Sequence, residues 1–159
     1  MVRERQLKGD RIAILLPLKR QVFGFAEGLA DAGIEIEVPE QRERKSPLPL
    51  HDFNSNRPKL MTYHSAKGLT FDSVFLPRLV EKSFPFASER RLESLLFVAL
   101  TRASKWAFMS TDYEEPLPLL EKRTARAAAN GALTILRPGV VTSSSVTAAP
   151  DETDELDFL

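Results

Sequence analysis

Lys59-Leu60-Met61-Thr62-Tyr63-His64-Ser65-Ala66-Lys67-Gly68-Leu69-Thr70-Phe71-Asp72-Ser73-Val74-Phe75-Leu76-Pro77 is the stretch on which the fold turns. Two apolar segments, Lys59 to Tyr63 and Ser73 to Pro77, read as strands flanking a short polar turn that carries Lys67-Gly68. A turn that follows a buried parallel strand sits at the carboxyl edge of the sheet, where open α/β folds bind ligands. Small residues in this turn permit close backbone approach, His64 offers a hydrogen-bonding ring and Lys67 a positive charge. That set suits a phosphodiester backbone. It equally suits a tight, solvated connection with an incidental lysine, and the residues alone leave both readings open.

Upstream, Ile12-Ala13-Ile14-Leu15-Leu16 is a continuous apolar run closed by Pro17, the pattern of a strand buried on both faces. Val22, Phe23, Ala26, Leu29 and Ala30 recur at helical spacing, with Gly33 as the stop. Ile34 to Val38 alternates and predicts a strand nearer an edge. Residues 39–58, rich in charge, proline and asparagine, predict a loop of roughly twenty residues, a length that suggests function.

Downstream, Ser88 is an N-cap candidate for a helix whose apolar positions Leu92, Leu95, Leu96, Ala99, Leu100 and Ala103 keep the 3.6-residue period. Phe97 and Val98 widen the stripe and predict a helix covered on both sides. Arg102 falls in its last turn at the border of that stripe, where a cation interacts favourably with the helix dipole. Arg90 and Arg91, disfavoured by the dipole at the other end, are expected to lean on Glu89 and Glu93. A strand over 106–111, a helix from Pro116-Leu117-Pro118 to about Asn130-Gly131 and a final strand over 132–136 complete the series. Strands alternating with helices predict α/β architecture with a mainly parallel sheet and helices on both faces.

A chain of 159 residues suits one domain with a real core, here expected over 1–137. No apolar run approaches the roughly 18 residues that span a bilayer, and the polar N-terminus lacks a signal-peptide layout, so a cytoplasmic protein with no membrane partner is expected. There is no cysteine, and two histidines do not make a zinc site. The zero net charge conceals an asymmetry. Residues 138–159 hold five acids and no Lys or Arg, leaving 22 basic against 17 acidic side chains, a net of +5, in residues 1–137. A mildly basic body is compatible with a polyanion. The region 138–159 reads as a disordered acidic tail whose last apolar residues could dock on a protein.

The string Thr-x-His-Ser-Ala-Lys-Gly-Leu-x-Phe-Asp from Thr62 to Asp72, followed by Val74-Phe75-Leu76-Pro77, resembles motif V of UvrD/Rep-type superfamily 1 DNA helicases. Thr101-Arg102-Ala103, about thirty residues on, resembles their motif VI. The resemblance covers roughly Asp10 to Thr111. It implies the C-terminal RecA-like lobe (2A) of such a motor: a P-loop-NTPase-type three-layer sandwich that itself lacks the P-loop. It further implies that Thr62, His64, Ser65 and Lys67 face single-stranded DNA and that Gly68, Thr70 and Arg102 face the nucleotide. Arg102 would be the catalytic residue, reaching the ATP γ-phosphate as an arginine finger does.

The sequence departs from the family pattern in several places. Thr70 replaces the usual glutamate associated with the ribose, and threonine does not accept hydrogen bonds as a carboxylate does. Leu16-Pro17 stands where a Tyr-Arg pair is usual in the segment resembling motif IV, and the arginine expected to contact ATP is absent. The gap between Val38 and Lys59 is too short for the large inserted subdomain of UvrD and Rep, and the basic run Arg42-Glu43-Arg44-Lys45 occupies it. No Gly-x-x-x-x-Gly-Lys-Ser/Thr loop or magnesium-holding acidic motif occurs in the 159 residues. ATP and Mg2+ are therefore expected only with an N-terminal RecA-like lobe, on the same chain or another, and neither is expected to be held by this chain alone. Two functions follow from these expectations. One is the C-terminal motor lobe of an ATP-dependent DNA helicase or translocase, inactive as an ATPase by itself. The other is a degenerate lobe serving as a non-catalytic nucleic-acid- or protein-binding module.

Overall fold

The computed structural model describes residues 1–39, 48–85, 87–112 and 114–137. The basic run Arg42–Lys45 and the tail expected over 138–159 lie outside them. Four strands, β1 (Ile12–Leu16), β2 (Lys59–Thr62), β3 (Phe71–Leu76) and β4 (Ala103–Met109), form one parallel sheet in the order β2-β1-β3-β4. The helices are α1 (Val2–Leu7), α2 (Lys19–Asp31), α3 (Glu89–Leu100) and α4 (Pro118–Ala129).

The central position of β1 explains its unbroken apolar run, since both faces must be dry. Ile12, Ile14 and Leu16 pack with Val22 and Ala26 of α2, while Ala13 and Leu15 share the opposite core with Leu92, Leu96 and Ala99 of α3. Helices therefore cover both faces, as the alternation of elements predicts. Gly33, at φ +69, ends α2: its N–H donates to Ala30 and that of Ile34 to Leu29, a closure that favours glycine in the left-handed region. The Oγ of Ser88 caps α3, accepting from the Arg91 N–H at 3.4 Å. α4 begins and ends within two residues of its expected bounds.

Several expectations are corrected. Ile34 to Val38 does not form a full strand; Glu37 and Val38 make isolated parallel bridges to Lys59 and Leu50. Ile36, Glu37 and Val38 are all buried, so the alternation that suggested one wet face does not report exposure. Residues 132–136 are irregular, with Ile135 and Leu136 exposed, because nothing packs over them to reward a strand. Phe97 is 69% exposed, so α3 is not covered all round. Glu89 and Glu93 pair with Lys122 and Arg123 of α4 instead of with Arg90 and Arg91. α1, unanticipated in the polar N-terminus, places Arg5 4.2 Å from the ring centroid of Trp106 and brings Arg3 to the carbonyls of Ala32 and Gly33.

Candidate functional site

The chain passes from β2 to β3 in eight residues, 63–70, and skips over β1 between them. Parallel strands require the chain to return from the end of one to the start of the next, normally over a dozen residues or more. Here one and a half compact turns suffice: Ala66 N–H donates to Thr62, Lys67 to His64 and Leu69 to Ala66. Gly68, at φ +85, supplies the left-handed backbone that turns the chain into β3. A Cβ there would meet nothing within 4 Å, so conformation rather than space selects glycine.

This direction divides the candidate residues between two edges of the sheet. Thr62 pairs with Leu16 at the carboxyl edge. Phe71 lies two residues before Ser73, the partner of Ile12, and therefore at the amino edge. The six-residue offset corresponds to roughly 20 Å at about 3.3 Å per residue. Thr62, His64 and Ser65 thus occupy the carboxyl edge, while Gly68, Thr70 and Arg102 occupy the amino edge. The expectation that the whole turn lines the carboxyl edge holds for its first half only. Pro17, directly after β1, lies on the His64 side, so its departure from the family pattern falls far from Thr70 and Arg102.

At the carboxyl edge Thr62 is buried, and its Oγ1 lies 2.8 Å from Ser65 Oγ and accepts from the Ser65 N–H at 3.1 Å. These bonds cap the crossover, so both hydroxyls are engaged within the turn. His64 and Lys67 are exposed, and neither side chain has a hydrogen-bond or ion-pair partner among the described residues. They are the free groups of the motif. Tyr63, between Thr62 and His64, points inward. Its ring stacks on Phe84 at 6.2 Å, its hydroxyl is buried without a partner, and burial pushes that hydroxyl's pKa well up.

Arg102 is not in the last turn of α3. The helix ends at Leu100 with Thr101 as cap, and the Arg102 carbonyl already accepts from Phe71 N–H at the start of the sheet. Its guanidinium folds back: Nε donates to the Val98 carbonyl (3.1 Å), Nη1 to the Leu69 carbonyl (3.2 Å) and Nη2 to Thr101 Oγ1 (3.3 Å). The bond to Val98 is the helix-end interaction expected from the sequence. Three of the five guanidinium N–H groups are engaged, which leaves two for an outside acceptor.

Gly68, Leu69 and Thr70 form one wall of a cleft of about 330 Å³, with Phe53, Ser55 and Arg57 on another and Arg11 beside the start of β1. That volume is at the lower end of ligand pockets and admits part of a nucleotide. Asp72 lies near this edge, held below the ordinary carboxylate range first by the Arg11 backbone N–H (2.9 Å) and then by Lys105 (3.3 Å). No group of three His, Asp or Glu among the described residues is arranged to hold a metal ion. Phe53, Arg57 and Arg11 were not legible as site residues, because their meeting with Gly68–Thr70 depends on the order of the strands.

Several known proteins are similar to this chain. Residues 48–114 match the family model described as the UvrD-like helicase C-terminal domain. A "Probable DNA helicase" of Mycoplasma pneumoniae is 31% identical over 140 aligned positions, covering 75% of this chain and 23% of that protein. A "Probable DNA helicase II homolog" of the same organism is 38% identical over 74 positions, covering 41% of this chain and 10% of its own length. The chain thus spans less than a quarter of either relative. Among solved structures, the C-terminal domain of a possible DNA helicase from Lactobacillus plantarum WCFS1 superposes with a TM-score of 0.54 at 18% identity, over 75% of this chain and 68% of that one, a likeness of fold. The α/β sandwich shares the fold of that solved domain, and residues 48–114 are similar to the UvrD-like helicase C-terminal domain.

Proposed function

We propose that this UvrD-like C-terminal domain acts as the C-terminal motor lobe of an ATP-dependent DNA helicase or translocase. Its carboxyl edge faces single-stranded DNA, and its amino edge faces ATP and Mg2+ held mainly by an N-terminal RecA-like lobe. The observation that carries this reading is the crossover 63–70. One compact element bears unpartnered His64 at one edge, carries unpartnered Lys67 along its exposed middle, and delivers Gly68 and Thr70 to the other edge, where Arg102 grips its end. His64 and Lys67 contact the strand, while Thr62 and Ser65 hold the turn in shape. Arg102 directs its two remaining N–H groups toward the γ-phosphate, stabilising charge during phosphoryl transfer.

Titration of a fluorescent oligo-dT with the 159-residue chain, repeated across salt concentrations, tests the DNA half. Binding is expected to be weak and to fall with salt, and Lys67→Ala is expected to lower the salt slope by about one. An unchanged slope and affinity in Lys67→Ala removes the residue from the interface. The second reading, a non-catalytic binding module, draws support from Thr70 and from the internal engagement of Arg102. ATP hydrolysis that stays absent when the chain is combined with a phosphate-loop lobe and DNA decides for it.

A further inference from the structure

The segment from Leu50 to Pro58 is an irregular strap, yet it is anchored like a core element. Beneath it Glu37 and Lys59, with side chains 1% and 4% exposed, form an ion pair at 2.8 Å. Lys59 Nζ also donates to the carbonyls of Ser55 (3.0 Å) and Arg57 (2.8 Å), and the Asp52 N–H donates to Glu37 at 2.7 Å. Ser55 Oγ donates to the other Glu37 oxygen. His51 Nε2 donates to the Leu60 carbonyl at 3.0 Å, and burial pushes the pKa of that ring down. Buried ion pairs contribute little net stability against hydrophobic replacements, so this one is better explained by what it fixes in place.

The outer side of the strap carries Phe53, 55% exposed, and Arg57, both lining the cleft opposite Gly68–Thr70. The Arg57 guanidinium is tied only to Glu35 among the described residues, at 3.0 Å with both side chains about half exposed or more. An exposed pair of this kind contributes little, so the guanidinium is free to turn to a better anion. Arg11 keeps one nitrogen on Asp72 at 3.4 Å and presents the rest. The Thr70 side chain has no partner among the described residues and is exposed. A flat aromatic face, two guanidinium groups and a hydroxyl around one small cleft match a base joined to a polyphosphate.

We infer that the strap forms the far wall of the nucleotide cleft, with Phe53 stacking on the base and Arg57 binding the phosphate chain of a nucleoside di- or triphosphate. The inference rests on reading Gly68–Thr70 as nucleotide-facing. It gives this lobe two contacts that the resemblance does not assign, on the edge where threonine has replaced the usual carboxylate.

Amide NMR of the 159-residue chain, titrated separately with ADP, pyrophosphate, adenosine and an oligo-dT, tests it. ADP at millimolar concentration is expected to shift the amides of 53–57 and 68–70 together. Arg57→Ala is expected to weaken ADP and pyrophosphate binding tenfold or more while sparing adenosine, and Phe53→Ala to weaken ADP and adenosine binding while sparing pyrophosphate. Both residues are exposed, and unchanged melting temperatures verify that the variants fold. If ADP shifts 68–70 but not 53–57, or both variants bind ADP as the parent does, the strap is not part of the site and the nucleotide-facing reading survives. Shifts at neither segment overturn the strap's role, as does an oligo-dT that moves the strap where ADP does not, while the nucleotide-facing reading, which places ATP mainly on the other lobe, stands.

Discussion

Tyr63 shows how one side chain in a functional motif can serve the core. It sits between His64, which faces solvent, and Thr62, which caps the crossover, and its ring fills the α3 side of the core while its hydroxyl finds no acceptor. A buried hydroxyl without a partner costs on the order of 1–3 kcal/mol. Tyr63→Phe removes that group and keeps the ring, so it is expected to raise stability by about 1 kcal/mol in urea denaturation and to leave oligo-dT affinity unchanged. The pH dependence follows from the same burial. The folded-state pKa is raised above the ordinary value of about 10, so the folded protein keeps a proton that the unfolded chain releases. Stability is therefore full below pH 10 and declines as pH rises past it. Tyr63→Phe is expected to flatten that alkaline decline; an equally steep loss in the variant assigns the titration to another group.

Among the elements, β1, α2, α3 and α4 were legible because each is specified locally, by an unbroken apolar run, a helical period, Ser88 or Gly33. The edge segment 36–38 was not, because what buries Glu37 is Lys59, 22 residues away, and no local pattern reports a tertiary ion pair. The same holds for the site: the motif residues were singled out by the resemblance they carry, but their division between two edges follows from the reversal of direction within 63–70. Glu37 belongs to this scale since it binds the strap to β2. Burial raises its pKa, but hydrogen bonds from Lys59, Ser55 and Asp52 outweigh that and hold the carboxyl below its ordinary range. Its contribution is present above the unfolded-state pKa and is lost as pH falls through the lower folded-state value. Glu37→Gln leaves Lys59 charged and buried, and is expected to cost roughly 3–5 kcal/mol. The double variant Glu37→Gln with Lys59→Met is expected to recover most of that loss in chemical denaturation. A double variant as unstable as the single one indicates that the strap, rather than the uncompensated charge, sets the cost.

Across the whole molecule, the roughly 20 Å between edges exceeds the Debye length of about 8 Å at physiological salt, so charge alone does not connect a ligand at the Thr62–Ser65 edge with one at Arg57. The connection is mechanical: the crossover runs from one edge to the other, and Arg102 holds its end through the Leu69 carbonyl while also gripping the end of α3 at Val98. A phosphate that draws the guanidinium outward competes with that carbonyl, and only a second lobe brings such a phosphate to a fixed position. On the 159-residue chain alone, ADP and oligo-dT are accordingly expected to bind independently, each changing the other's affinity less than about twofold, with no appreciable ATP hydrolysis. Joined to an N-terminal RecA-like lobe, the same ligands are expected to become reciprocal in affinity, because linkage requires equal effects in both directions. Arg102→Lys should remove the coupling, since an ammonium is a compact charge that does not reproduce the planar fork across Leu69 and Val98. It should also lower the two-lobed ATPase kcat by about 10³-fold or more, the scale of an arginine finger. Retained reciprocity with a collapsed kcat would confine Arg102 to the phosphate and leave the crossover to be governed by other contacts. Magnesium-dependent hydrolysis by the chain alone would overturn the two-lobed division of labour itself.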